Sequence, residues 1–203
     1  MKLFLLHPEF PITALVYSDS EAADRMLRDC AVSLLEDGYR LAGLVQINTP
    51  RPGRSRCDMV LEELASGQRL GISQDRGPQA RGCALDVSQL LEAMQQVRAG
   101  LSSRPDLVIL NKFGKTEAEG GGFRPLIAEA IESGVPLLIG VPWRNIENWR
   151  RFAGPLSREI QLDQINMPIR WSIASIKRDP IPPATEQACA DDVSSQPFLT
   201  NRE

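Results

Sequence analysis

Histidine is almost missing from this chain: His7 is the single one among 203 residues. That scarcity leaves no material for a Ser-His-Asp or Cys-His triad, or for a histidine-based zinc site. The four cysteines, Cys30, Cys57, Cys83 and Cys189, are scattered without C-x-x-C spacing. Such usage points to reduced thiols in a cytoplasmic protein rather than to a disulfide framework. No stretch approaches the roughly 18 consecutive apolar residues of a membrane span. The N-terminal run Leu3–Leu6 is broken by His7, Pro8 and Glu9, before it reaches the roughly 7–15 apolar residues of a secretory signal. Basic charge is not in excess either. The net charge is −3 and the pI is near 5.4, so nothing resembles the basic stripe of a nucleic-acid binder. No repeat of solenoid length is present.

What is present is an ordinary globular composition, 42% hydrophobic and 24% charged, enough for one sizeable core. The stretch 1–11 reads as an arm leading to a first core strand at Ile12–Tyr17. Ser18 and Glu21 have the S-x-x-E spacing of a capping box. Ala22, Ala23, Met26, Leu27, Cys30, Ala31, Leu34 and Leu35 then recur with helical period, predicting one apolar helix face. Gly38 is placed to end that helix, and 41–47 is a second apolar strand, which together make a βαβ unit. Residues 58–64 and 68–73 predict an antiparallel hairpin. Asp86 or Ser88 is the expected cap of a helix reaching about Leu101. A second βαβ unit spans 107–141, with Pro125 in the first turn of its helix. Trp143 and Trp149 flank a short helix near 145–152, expected with Phe152 to seal the sheet's edge. A last edge strand is expected at 160–162. Beyond that, prolines among polar residues predict a largely disordered tail over 166–203.

Asp106–Gly122, DLVILNKFGKTEAEGGG, is the stretch richest in chemistry. A buried parallel strand ends in Asn111 and Lys112, then opens into a charged, glycine-rich loop. Ligands of open α/β sheets collect at the carboxyl ends of strands, so a site is expected here. Consecutive glycines Gly120, Gly121 and Gly122 can converge their amides into an anion nest. Lys112, Lys115 and Arg124 add positive charge. Glu117 and Glu119 either pair with the lysines or serve as general bases. Arg51, Arg54 and Arg56 precede Cys57, and Arg76 and Arg81 precede Cys83, a setting that lowers a thiol's pKa. Cys30 lies on the apolar helix face and reads as core. The residues name no cofactor.

The segment Asn111–Glu117, N-K-F-G-K-T-E, resembles the D-E-[IVL]-G-K-M-E segment after the Walker B strand of small nucleoside triphosphatases. A closer resemblance is to a bacterial family of proteins of unknown function. Its members share L-A-G-L-V-Q (41–46), I-S-Q-D-R-G (72–77), R-G-C-x-L-D (81–86) and N-K-F-G-K-x-E-A-E-G-G-G (111–122). The likeness covers roughly Ile12 to Leu162, and some members carry a molybdenum-transport ATP-binding label. It implies a three-layer, mostly parallel α/β domain of P-loop-NTPase-like topology over 12–165, with a short antiparallel hairpin insertion. The chain departs from the nucleotide pattern. A P-loop needs G-x-x-x-x-G-K-[ST], whereas Ser18, Asp19, Ser20, Glu21, Ala22, Ala23, Asp24 and Arg25 follow the first strand. No glycine is there, Asp24 stands nearest the lysine position, and Asn111 and Lys112 replace the metal-binding acid of Walker B.

The expectation is therefore a non-hydrolysing protein that binds a small anionic or nucleotide-like ligand, or a protein partner, with neither nucleic acid nor membrane involved. Ser18, Asp19, Ser20 and Asp24 line one side of its site. Asn111, Lys112, Lys115, Gly120–Gly122 and Arg124 line the other, and Arg81 and Cys83 enter from the insertion. Two alternatives stay open. One is a nucleoside triphosphatase or phosphoryl-transfer enzyme in which Glu117 or Glu119 positions water. The other is a thiol-based metal-delivery or redox factor using Cys57 and Cys83.

Overall fold

The central strands are apolar and buried on both faces, so helices pack on either side of them. The computed structural model describes residues 2–6, 10–49, 58–74, 84–165 and 169–173. In chain order, β1 (Lys2–Leu6) and β2 (Ile12–Tyr17) precede helix α1 (Ser20–Glu36). Next come β3 (Leu41–Thr49), β4 (Asp58–Glu63), β5 (Arg69–Gly71), β6 (Ser73–Gln74) and β7 (Ala84–Leu85). Helix α2 (Val87–Ser102), β8 (Leu107–Leu110), α3 (Lys115–Ala118) and α4 (Arg124–Glu132) follow. The described chain closes with β9 (Leu137–Pro142), α5 (Ile146–Ala153), β10 (Ser157–Gln161) and β11 (Ile169–Ile173).

The main sheet runs β10-β2-β9-β8-β3-β4-β5. Its first five strands are parallel, and the β4–β5 hairpin is added antiparallel at the edge. This is the mixed, mostly parallel α/β sheet with a hairpin that the sequence predicts. Successive strand residues point to opposite faces. Ala14, Val16, Val108 and Leu110 pack with Leu90, Met94 and Val97 of α2, Leu126 and Ile127 of α4, and Trp149 of α5. Leu15, Leu107 and Ile109 pack on the other side with Leu27, Cys30, Ala31 and Leu34 of α1. Helices thus cover both faces, which is why the central strands read as continuous apolar runs rather than alternating ones. Gly43 has φ +116°, and a Cβ there would run into the Ile109 carbonyl. Only glycine lets β3 lie so close to β8 at their paired positions.

Four local expectations are corrected. Asp19, not Ser18, caps α1, because its longer carboxylate reaches the second and third amides of the helix. Leu35 is 43% exposed, so the apolar face of α1 ends at Leu34. The segment after 166 is not structureless throughout. β11 pairs in parallel with β1, and its Trp171 and Ile173 are buried with Leu6 against the α1 side. The arm 1–11 likewise contributes β1, and Arg170 holds Asp37 at 3.3 Å. Residues 174–203 lie outside the described residues. Finally, Trp149 and Phe152 pack on Phe113, with ring centroids 5.2 and 5.6 Å away, but Trp143 is 53% exposed and seals nothing. The cap of α2 is Asp86, whose carboxylate accepts the Ser88 amide at 3.0 Å.

The connection leaving β2 crosses one face through α1, and that leaving β9 crosses the other through α5. The carboxyl ends of β2 and β9 therefore border the crevice where chain directions diverge, which is where this class of sheet presents its ligand site. Among the described residues, no helix is long and apolar enough to cross a membrane.

Candidate functional site

At the carboxyl end of β2 the chain turns directly into α1. A helix start leaves amides without partners and carries partial positive charge, which together attract an anion. Here the anion is internal. The Asp19 Oδ1 accepts the amides of Glu21 at 2.9 Å and Ala22 at 3.2 Å, and the Ala23 amide reaches the Asp19 carbonyl at 3.2 Å. Beneath this turn Tyr17 and Asp24 are both buried. Burial pushes the Tyr17 phenol pKa well above its usual value, and Asp24 adds to the rise. Arg144 and the Ser20 hydroxyl oppose it. Ser18, Asp19, Ser20 and Asp24 thus lie at or within the first turns of a helix whose first amides the Asp19 carboxylate occupies.

The carboxyl end of β8 carries a second polar group. Asn111 is buried, with its Nδ2 donating to Gln46 Oε1 at 3.1 Å and its Oδ1 accepting the Gln46 amide at 3.3 Å. Lys112 Nζ donates to the same Gln46 oxygen at 3.2 Å and is half-buried. The lysine is thus held at the strand end by a neutral carboxamide.

The glycine-rich loop is not an open nest. Glu117 is 5% exposed; its Oε2 accepts the Gly114 amide at 2.8 Å and its Oε1 the Phe123 amide at 2.9 Å. The Gly120 and Gly121 amides donate back to the carbonyls of Glu117 and Thr116, at 3.1 and 2.9 Å. The Gly114 and Phe123 amides point inward because a buried carboxylate needs donors, whereas the Gly120 and Gly121 amides are taken up by helix-end carbonyls. Gly122, at φ +59°, sits where a side chain would strike the Glu117 carboxylate. Glu117 therefore clasps the loop, and both its oxygens are engaged by backbone. Lys115 and Glu119 are exposed and lie 3.7 Å apart as an i,i+4 pair, while the Arg124 guanidinium carbon sits over the Phe152 ring, 4.3 Å from its centroid. Cys30 is buried, and that burial raises its thiol pKa well above the usual value, which keeps it unreactive. Arg81, Cys83, Cys57 and the arginines around them lie outside the described residues. Among the described residues, no group of three His, Cys, Asp or Glu side chains could hold a metal ion.

The described crevice opens on the far side of β2, toward β10. One cleft of about 380 Å³ is lined by Tyr17, Ser18, Trp143, Gln161, Asp163 and Gln164. A neighbouring cleft of about 530 Å³ shares Ser18 and Asp163 and reaches Asp19, Arg25 and Asp29. Trp143, Arg144, Asp163 and Gln164 are not among the candidates read from the sequence. The strand-end rule would have found them if applied to β9 and β10 as well as β8.

The chain is 31% identical over 160 residues to the molybdenum import ATP-binding protein ModC 2 of Bradyrhizobium diazoefficiens. That match takes in 79% of this chain but 18% of the relative, so the chain spans under a fifth of that protein's length. No solved structure matches. The model of a family described as "Protein of unknown function (DUF2478)" matches residues 12–170, a span that includes β8 and the loop after it, and the chain belongs to that family.

Proposed function

We propose that this chain is a P-loop-like domain that has exchanged phosphate hydrolysis for the binding of a small anion, in the setting of molybdenum import. The observation that carries this reading is the Asp19 carboxylate on the first amides of α1. It takes the place a nucleotide phosphate needs, and the buried Asp24 would repel a second one. On the other flank, Lys112 stands where a metal-holding acid would be required. Both replacements oppose Mg-dependent hydrolysis, and they do so in opposite senses: negative where the phosphates belong, positive where the metal belongs. The positive side is the end that suits an anion, with Asn111 and Gln46 offering hydrogen bonds beside Lys112. The relative's name makes molybdate the first oxyanion to try.

Calorimetric titration with molybdate, sulfate, phosphate and Mg-ATP tests the reading. One of the oxyanions binds, and Lys112→Ala removes that binding. Phosphate release from ATP and GTP stays at background. Mg-dependent release that disappears in Asp24→Asn would overturn the proposal, and so would the absence of binding by every anion.

A further inference from the structure

The cleft at the ends of β2 and β10 has a donor set unlike that of the anion site. Trp143 offers an indole that is 53% exposed. Its mount is rigid. Asn145, two residues on, is buried and ties its Nδ2 to the Phe113 carbonyl at 2.9 Å, and the turn runs straight into α5, whose Trp149 is fully buried. Asp163, with a carboxylate, Gln161 and Gln164, with carboxamides, and the hydroxyl-bearing Tyr17 and Ser18 share the lining with Trp143. Gln161 is kept in place by the parallel register that pairs it with Val16. Among the described residues, no Lys or Arg lines this cleft.

That inventory selects against an anion. A carboxylate only accepts hydrogen bonds, a carboxamide both accepts and donates, and an exposed indole offers a flat apolar face. A ring with adjacent hydroxyls answers all three: its hydroxyls donate to Asp163 and exchange bonds with the two carboxamides, and its apolar face lies on Trp143. Pairing an acid at a strand's carboxyl end with a ring hydroxyl is a recurrent way of holding ribose. A cavity of about 380 Å³ falls within the range of small-ligand sites and accommodates one such ring with a substituent. We propose that the Trp143–Asp163 cleft binds an uncharged ring bearing a vicinal diol, either a free saccharide or the ribose of a phosphate-free nucleoside. This site is separate from the Lys112 end and goes beyond the anion reading.

Trp149 and Trp171 are at most 2% exposed, so a change in tryptophan emission on titration reports Trp143. The purified full chain is titrated with monosaccharides, ribonucleosides and 2′-deoxyribonucleosides, followed by emission and by calorimetry. Saturable binding of a monosaccharide, or of a ribonucleoside in preference to its deoxy form, supports the proposal and tells the two sources apart. Asp163→Ala weakens that binding roughly 10- to 100-fold, the loss of a charge-assisted hydrogen bond. Trp143→Ala weakens it by calorimetry, and because both side chains are exposed the fold is kept, which circular dichroism verifies. Four outcomes overturn it: no response to any of these, equal binding of deoxy and ribo forms, binding indifferent to both substitutions, or preference for an organic cation such as spermidine. The oxyanion titration runs on the same samples, so failure of either site is read without prejudice to the other.

Discussion

Two strand ends in this molecule are closed by a carboxylate of their own, and they are closed differently. At the start of α1, Asp19 is exposed and caps two amides at the surface. In the glycine-rich loop, Glu117 is buried and binds amides on either side of a chain reversal, at Gly114 and Phe123. Water can replace Asp19 at the amides it serves, but it cannot readily reach those served by Glu117. The same chemical group is therefore a local cap in one place and a structural clasp in the other. The strength of an internal anion depends on what would serve its donors once it is gone.

Glu117→Ala should break the comparison most severely. It strands two loop amides and leaves a cavity, for a loss of about 3–5 kcal/mol. Urea unfolding gives the size, and hydrogen exchange at Gly114 and Phe123 shows whether the clasp is what opened. Gly122→Ala attacks the same clasp from the backbone side. Strain at positive φ plus the collision with Glu117 should cost about 2–3 kcal/mol, and Gly38→Ala, at φ +80° with open space around it, should cost about 1 kcal/mol as the control.

At the α1 end, alkaline pH sharpens the contrast. The Tyr17 phenol loses its proton near pH 10 in the unfolded chain but only well above that in the fold. Below pH 10 both states hold the proton and the group contributes nothing to the pH dependence. Above it the unfolded state alone ionises, so stability falls as pH rises, by about 1.4 kcal/mol at pH 11. Tyr17→Phe should flatten that limb, as seen in urea midpoints between pH 8 and 11. Asp19→Ala should cost about 1 kcal/mol, the usual value of an N-cap. Lys115→Ala, which breaks only the exposed pair with Glu119, should change stability by less than about 0.5 kcal/mol.

Much of this fold was legible because its central strands and amphipathic helices are long enough for periodicity to speak. The strand 107–110, the helix after Phe123 and the 58–73 hairpin all lie where their patterns put them. β11 escaped notice since one buried Trp171 and one buried Ile173 among polar residues make too short an alternation to separate from a loop. The site was half legible. Ser18–Asp24 and Lys112 do lie at strand ends, but the direction of an amide cannot be read from glycine content. Gly120–Gly122 spell an anion nest in composition and form a closed turn in space, because the Gly120 and Gly121 amides are taken by the carbonyls of Glu117 and Thr116. A signal was there: Gly114 and Glu117 have the spacing of a capping box, in which a glutamate reaches back to a helix-start amide.

The pairing of β1 with β11 has a consequence in time as well as in space. It is the longest-range strand pairing among the described residues, so the chain must bring together ends separated by the whole of the main sheet. The closure entropy of that step is worth meeting only once the sheet already holds those ends near one another. Of the described strands, β1 is made before all the others and yet finds its partner last. The N-terminal strand is thus a late reporter of completed folding, and a protease that reads exposed chain would find it accessible until β11 arrives.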